Sequence, residues 1–303
     1  MAKKLNKSGL KQNPETVNEL VDELTLFDDD LMSRVFDKNI KATELLLRII
    51  LGKNVKVISV NGQDELKNHE VGGRNITLDV HAVDENGEEM DVEVQGNSEG
   101  AHIRRARYHS SMVDSRMLKE GQKFKELKDS YVIFIYRHDK FQKGLPMYHV
   151  ERYVGETNEL FHDGSHIIYV NGNYKGNDEI GLLMQDFHQK NPDDMHYSEL
   201  AQGVRHFKEK EGGRDEMSEI VERFINERAE ERAEKMAEER AEKMAEERAQ
   251  KIVQERADEY VKKDKTISVQ NLMKNMKLTL DQALNALGIQ GDERKLIMKQ
   301  LQK

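Results

Sequence analysis

Phe27, Leu31, Val35 and Phe36 recur at helical spacing behind the run Asp28-Asp29-Asp30, which suits a helix start with acids at the positive end of its dipole. Leu45, Leu46, Ile49 and Ile50 form a second, broader apolar stripe from about Lys41 to Leu51, closed by Gly52, and predict a helix that covers a sheet. From Val55 the period drops to two. Val55–Val60, Asn75–Val83 and Glu89–Gln95 read as strands, the last two joined by the hairpin loop Asp84-Glu85-Asn86-Gly87-Glu88. A helical pattern from about Ala101 to Glu120 precedes Tyr131–Tyr136, a continuous apolar run expected of a strand buried on both faces. The helix before it supplies the crossover that parallel pairing requires. Strands near Met147–Val154 and His166–Val170 complete a mixed sheet, and helices follow at about Ile180–His188 and Ser198–Glu211.

The two ends read differently. Residues 1–20 are polar and unpatterned and are expected to be a disordered tail, and the patterned domain then runs from 21 to 212. After Gly212-Gly213, residues 228–251 repeat an eight-residue unit that sets Ala229, Ala233, Ala237, Ala241, Ala245 and Ala249 four apart. Glu231 with Lys235, Glu239 with Lys243, and Glu247 with Lys251 are i,i+4 pairs in the favourable order, each worth ~0.3–0.5 kcal/mol. A spacing of four drifts by about 40° per step on a helix of 3.6 residues per turn, so the alanines spiral and form no heptad seam. Residues 213–263 are therefore read as a charged helix, either a solvated spacer or a self-association element of a homo-oligomer. Residues 264–303 are read as two short helices packed on each other, with Thr279 or Asp281 as a cap and Gly288 as a stop.

The hairpin carries the candidate chemistry. In Asn75–Val83 the apolar Leu78, Val80 and Ala82 share one parity, leaving Asp79 and His81 on the other. In Glu89–Gln95, Met90, Val92 and Val94 leave Asp91, Glu93 and Gln95 opposite. With Asp84–Glu88 as the loop, Val83 pairs with Glu89 and Asp79 falls across from Glu93. Two carboxylates so opposed need a cation or a shared proton, and a hard divalent ion such as Mg²⁺ is the simplest cation. Such a centre suits phosphodiester hydrolysis. The bland alternative is an ordinary hairpin with a wet polar face.

Composition narrows the options. Of 303 residues none is cysteine, so any metal must be held by oxygen or imidazole. The net charge of −9 opposes DNA binding over the whole surface. Residues Glu227–Glu259 contribute twelve acids against eight bases, however, and a local basic patch remains available. Arg104, Arg105 and Arg107, beside Tyr108 and His109, form the candidate phosphate-binding patch. His102 and His109, seven apart, share a helical face and could approach the site, whereas Gly164 argues against His162 and His166 as a metal pair. No glycine loop of the phosphate-binding type occurs, and no segment approaches the ~20 apolar residues of a membrane span, so a soluble cytoplasmic protein is expected.

Asp79, thirteen residues, then Glu93-Val94-Gln95, on consecutive strands with a helix before and after, resembles the PD-(D/E)XK nuclease superfamily. More narrowly it is similar to its recombination-promoting nuclease (Rpn) or transposase branch. The resemblance spans about Leu26 to Glu211, through LFDDDLMSRVF, TLDVHAVDENGEEMDVEVQ and RRARYHS, and extends to the charged helical C-terminal part. It implies a restriction-endonuclease-like α/β core, a mixed β-sheet flanked by helices with a long charged C-terminal helix. It further implies DNA as substrate, Mg²⁺ or Mn²⁺ held by Asp79 and Glu93, and a role in recombination or transposition of a mobile element. Gln95 stands where the superfamily more often has Lys, and Glu44 is the best match to an upstream helical Glu. Two competing readings stay open: a catalytically weak DNA-binding or regulatory member, and a scaffold acting through its long helix.

Overall fold

The computed structural model describes residues 14–68, 70, 72–96 and 103–301. The chain forms two compact units, residues 1–225 and 226–303. In the first, helices α1 (Pro14–Glu23), α2 (Asp29–Phe36) and α3 (Ile40–Leu51) lead into strands β1 (Val57–Leu66), β2 (Ile76–Asp84) and β3 (Glu89–Gln95). Helix α4 (Ile103–Met117) then crosses to β4 (Ser130–Tyr136). A further strand, β5 (Met147–Val150), a small hairpin of β6 (Tyr153–Val154) and β7 (Glu159–Leu160), and β8 (Ser165–Asn171) follow. Helices α5 (Glu179–His188), α6 (Ser198–Glu209) and the first turns of α7 (Glu211–Met276) complete the unit.

The six-stranded sheet has the order β1-β2-β3-β4-β8-β5. β3, β4 and β8 are parallel and the other neighbours antiparallel, giving a mixed sheet flanked by helices with the restriction-endonuclease-like architecture expected. β4 is buried along its whole length, as its apolar run predicts, because helices cover both of its faces. On one face Val80, Ala82, Met90, Val92, Val94, Ile133 and Ile135 pack under helices α1, α2, α3, α5, α6 and the start of α7. On the other, α4 lies over Val132, Phe134, Tyr136 and Tyr169 through Ala106, and over Leu66, Ile76 and Leu78 through Met112 and Val113.

Leu78 departs from the simple alternation, which grouped it with Val80 and Ala82. Val60 and Val80 belong to the first core, but Leu66 and Leu78, at even spacing from them, belong to the cluster under α4. The change of face falls at Gln63, whose φ of 52° lies in the left-handed region, while the β1–β2 register, shifted once between Val57 and Ser59, runs unchanged from Ser59 to Leu66. Two close approaches set α2 against the sheet. A Cβ on Gly62 would stand 2.4 Å from the Ser33 carbonyl oxygen, and one on Gly96 would stand 3.1 Å from that of Phe27.

Three expectations about the ends need adjustment. Residues 1–13 of the expected tail lie outside the described residues, but the chain is helical from Pro14, with Val17 and Val21 in the first core. A stripe of two valines is too short a pattern to register as amphipathic. Gly212-Gly213 mark no boundary: they lie in the first turn of α7, and Met217, Ile220 and Val221 still pack in the first core. The second unit, besides α7, has α8 (Leu280–Ala286) and α9 (Gly291–Leu301). Those two short helices pack together as expected, but also on Val269 of α7, with Thr279 forming a capping box to Gln282. Among the described residues no helix is long and apolar enough to cross a membrane.

Candidate active site

The β2–β3 hairpin has the register expected from its loop. Val83 pairs with Glu89 and Val80 with Val92, which sets Asp79 across from Glu93. Asp84 builds the turn, its Oδ1 accepting the backbone N–H groups of Asn86 and Glu88 at 2.9 Å, while Gly87 takes a φ of 79°. Beyond Val80–Val92 the ladder continues through side chains. The Asp79 N–H donates to Glu93 Oε1 at 3.1 Å, and the Val94 N–H donates to Asp79 Oδ2 at 3.0 Å. Both carboxylates are thereby fixed between the two strands at the end where β3 gives way to Gly96.

Their surroundings differ from a wet hairpin face. Helix α4 covers the acidic parity, and Asp91 and Glu93 are both fully buried, with Asp79 nearly so. Arg105 Nη2 donates to Glu93 Oε2, and Arg105 Nε donates to His109 Nε2 at 3.3 Å. His109 Nδ1 lies 2.8 Å from Asp91 Oδ2 and 3.8 Å from Glu93 Oε1. Burial raises all three acids to about 8. Asp79 is raised further by Glu93 and Glu93 by Asp91, against weaker opposing pulls from the Val94 N–H and Arg105 on Asp79, from a hydrogen bond with Glu93 on Asp91, and from His109 and Arg105 on Glu93. Asp29, at the first turn of α2, belongs to the same electrostatic cluster: its charge acts on Asp79 and Arg105 acts on it.

Glu44 is not brought to this cluster. Its Oε1 accepts the Val57 N–H at 3.0 Å and it lines a cleft of about 550 Å³ with Asp84 and Asn86, near the opposite end of β2 from Asp79. Five residues of strand separate Asp84 from Asp79, ~16 Å. Arg48, the alternative partner for Glu44, pairs with Glu179 at 2.8 Å. Gln95 ends β3 half-exposed, its Nε2 donating to the Val94 carbonyl at 3.1 Å.

The basic patch divides. Arg104 and Arg107 face outward on α4, Arg105 turns inward to Glu93, and Tyr108 ties α4 to the β1–β2 connection by donating to the Arg74 carbonyl at 2.6 Å and accepting from Asn68 Nδ2 at 3.0 Å. His102 lies outside the described residues. His162 and His166 do not converge on a metal: His166 stacks on Tyr131 and approaches Asp129 at 3.4 Å.

Asp91 and Asp29 were missed as site residues. Asp91 shared the parity of Glu93, and that signal could have named it. Asp29 was legible as a helix start but not as a neighbour of Asp79, because that depends on the close approach at Gly96. Asp64 is a further case. It bonds His81 Nδ1 at 2.7 Å while Glu89 bonds Nε2 at 3.0 Å, and only the left-handed turn at Gln63 brings Asp64 to that face.

Residues 33–271 match the PD-(D/E)XK nuclease family transposase family. The chain belongs to that family. No curated protein and no solved structure matches it. Membership of a PD-(D/E)XK nuclease family transposase family makes DNA the substrate class and transposition the setting. Among the described residues Asp91, Glu93 and His109 stand close enough to hold one ion, with ligand atoms all within 4.8 Å of one another. The donors are carboxylate oxygens and one imidazole, all suited to a divalent cation, and Asp91 Oδ1 is buried without a hydrogen-bond partner.

Proposed function

We propose that this chain is a Mg²⁺- or Mn²⁺-dependent DNA endonuclease acting in recombination or transposition of a mobile element, with Asp79 and Glu93 as the metal-holding acids. The observation that carries this reading is the fixing of the two carboxylates between β2 and β3, under the basic first turns of α4. A divalent ion held there supplies Lewis acidity toward the phosphodiester and acidifies a bound water.

The protein's own part is positioning. The Val94 and Asp79 N–H groups hold the acids in place and each takes one lone pair, so both acids keep lone pairs for a cation, although Arg105 also donates to Glu93 Oε2. Gln95, at the open end of β3, orients water by hydrogen bonding and carries no charge. Arg104 and Arg107 face outward to take DNA phosphates, and the removal of Glu93 and Asp91 from solvent strengthens every charge interaction within the site.

Supercoiled plasmid incubated with the purified chain and Mg²⁺ or Mn²⁺ tests this. Wild type is expected to nick or linearise it, EDTA to stop cleavage, and Asp79→Asn and Glu93→Gln each to lose at least ~100-fold. Equal cleavage by the variants would overturn the assignment. Gln95 in place of Lys favours one second reading, a DNA-binding member with weak cleavage. Metal-independent plasmid binding with no nicking by wild type would select it.

A further inference from the structure

We propose that Asp91, Glu93 and His109 form a second cation position, inside the one between Asp79 and Glu93, which takes a first-row transition ion such as Mn²⁺ and is held closed by Arg105. The inference rests on the divalent-ion reading of Glu93 and adds the imidazole position and its latch.

The geometry is close to a ligand shell. His109 Nδ1 lies 2.8 Å from Asp91 Oδ2 and 3.8 Å from Glu93 Oε1. Ligands at ~2.1 Å from one ion stand ~3 Å apart when at right angles, so small side-chain shifts would suffice. Asp91 Oδ1 supplies the independent sign. Among the described residues it is a buried carboxylate oxygen with no hydrogen-bond partner, on a residue with no solvent exposure, and once that carboxyl is ionised an oxygen so placed is costly unless a cation answers it. The imidazole decides the class of ion: an all-oxygen shell suits Mg²⁺, whereas a nitrogen ligand raises affinity for transition ions over it.

Arg105 now stands in for that cation. Its Nη2 occupies Glu93 Oε2, and its Nε–H donates to His109 Nε2, which leaves the ring proton on Nδ1 facing Asp91. An ion on Nδ1 displaces that proton and requires the neutral ring to carry N–H at Nε2. Two N–H donors would then face each other, so Arg105 must withdraw both from His109 and from Glu93. It can do so, because its side chain is 34% exposed and sits between the outward-facing Arg104 and Arg107, where a DNA phosphate would receive it. Filling the inner position and engaging DNA are thereby coupled through one side chain.

Metal-free full-length protein is titrated with Mn²⁺ by calorimetry, and the bound ion is read by pulsed electron paramagnetic resonance for coupling to an imidazole nitrogen. Wild type is expected to bind two ions, one nitrogen-coupled. Asp79→Asn should lose only the uncoupled ion, His109→Gln should lose the coupling and one equivalent, and Arg105→Gln should tighten the coupled position about tenfold. Coupling that persists in His109→Gln, or is absent from both wild type and Arg105→Gln, overturns the site. Unchanged affinity in Arg105→Gln overturns the latch, even if His109→Gln proves unstable. Plasmid cleavage in Mg²⁺ that depends on Asp79 would leave the nuclease reading standing whichever way the nitrogen signal falls.

Discussion

Gln63 of β1, between the pairs Gly62 with Val80 and Asp64 with Leu78, has a left-handed backbone, φ 52°, and at this step both strands exchange the core they face. A non-glycine residue held there costs ~1–3 kcal/mol unless its surroundings repay it. What it secures is the placement of Asp64 on His81. Gln63→Gly should be neutral or slightly stabilising in urea unfolding, and Gln63→Val should cost ~1–2 kcal/mol, because a β-branched residue resists positive φ.

The same variant has a second readout. Burial draws the His81 imidazole down, but the Glu89 and Asp64 carboxylates on its two nitrogens outweigh this and raise it above its ordinary value. In Gln63→Val, with Asp64 turned away, the His81 midpoint followed by NMR should fall. An unchanged midpoint would show that Asp64 reaches His81 without the turn.

Metal-free protein should lose stability as pH rises. Asp79, Asp91 and Glu93 titrate near 8 in the folded chain and near 4 when unfolded, so between those limits the folded state binds more protons and ΔG of unfolding declines with pH. The stabilisation is complete below ~4 and is lost through ~8. Thermal melts in EDTA should show a lower Tm at pH 8 than at pH 5.5. Added Mn²⁺ should recover it, most at the higher pH, where protons no longer compete. A metal-free Tm that rises across this window would refute the burial argument.

Arg104 and Arg107 should contribute to DNA affinity without sequence preference. Replacing both by Gln is expected to weaken binding equally across unrelated duplexes and to flatten the log–log salt dependence by about 0.9 for each phosphate that is no longer neutralised. An unaltered slope would move the DNA surface off α4.

Gln95 ends β3 half-exposed and, among the described residues, its side chain bonds its neighbour's carbonyl, so a longer cation is sterically admissible there. Gln95→Lys should keep or raise the rate of plasmid nicking, and Gln95→Ala should lower it ~10-fold or more. Equal rates in all three would remove residue 95 from the reaction.

How much of this was legible before folding depended on whether the determining contacts were local. The hairpin register followed from a five-residue loop and strict alternation, so Asp79 opposite Glu93 could be read directly, as could the buried parallel strand at Tyr131–Tyr136 and the helix that precedes it. The inward turn of Arg105, the covering of Asp91 by α4, the approach of Asp29 and the reversal at Gln63 each depend on contacts distant in sequence or on one backbone angle. No residue pattern announces these, and Gln is not a residue that advertises positive φ. Glu44 shows the converse. A helical Glu upstream of the hairpin satisfied a pattern, but three-dimensional packing gave it the Val57 N–H instead.

Because the hairpin ladder closes through the side chains of Asp79 and Glu93, these acids belong to the fold as much as to any reaction. A descendant that had ceased to cut DNA would still be selected to retain them, since losing either would leave a strand N–H unanswered inside the sheet. Persistence of the pair in a relative is therefore a record of an intact hairpin, and an inactive relative is better recognised at Gln95 and the outward-facing arginines of α4, whose side chains satisfy no N–H of the hairpin ladder.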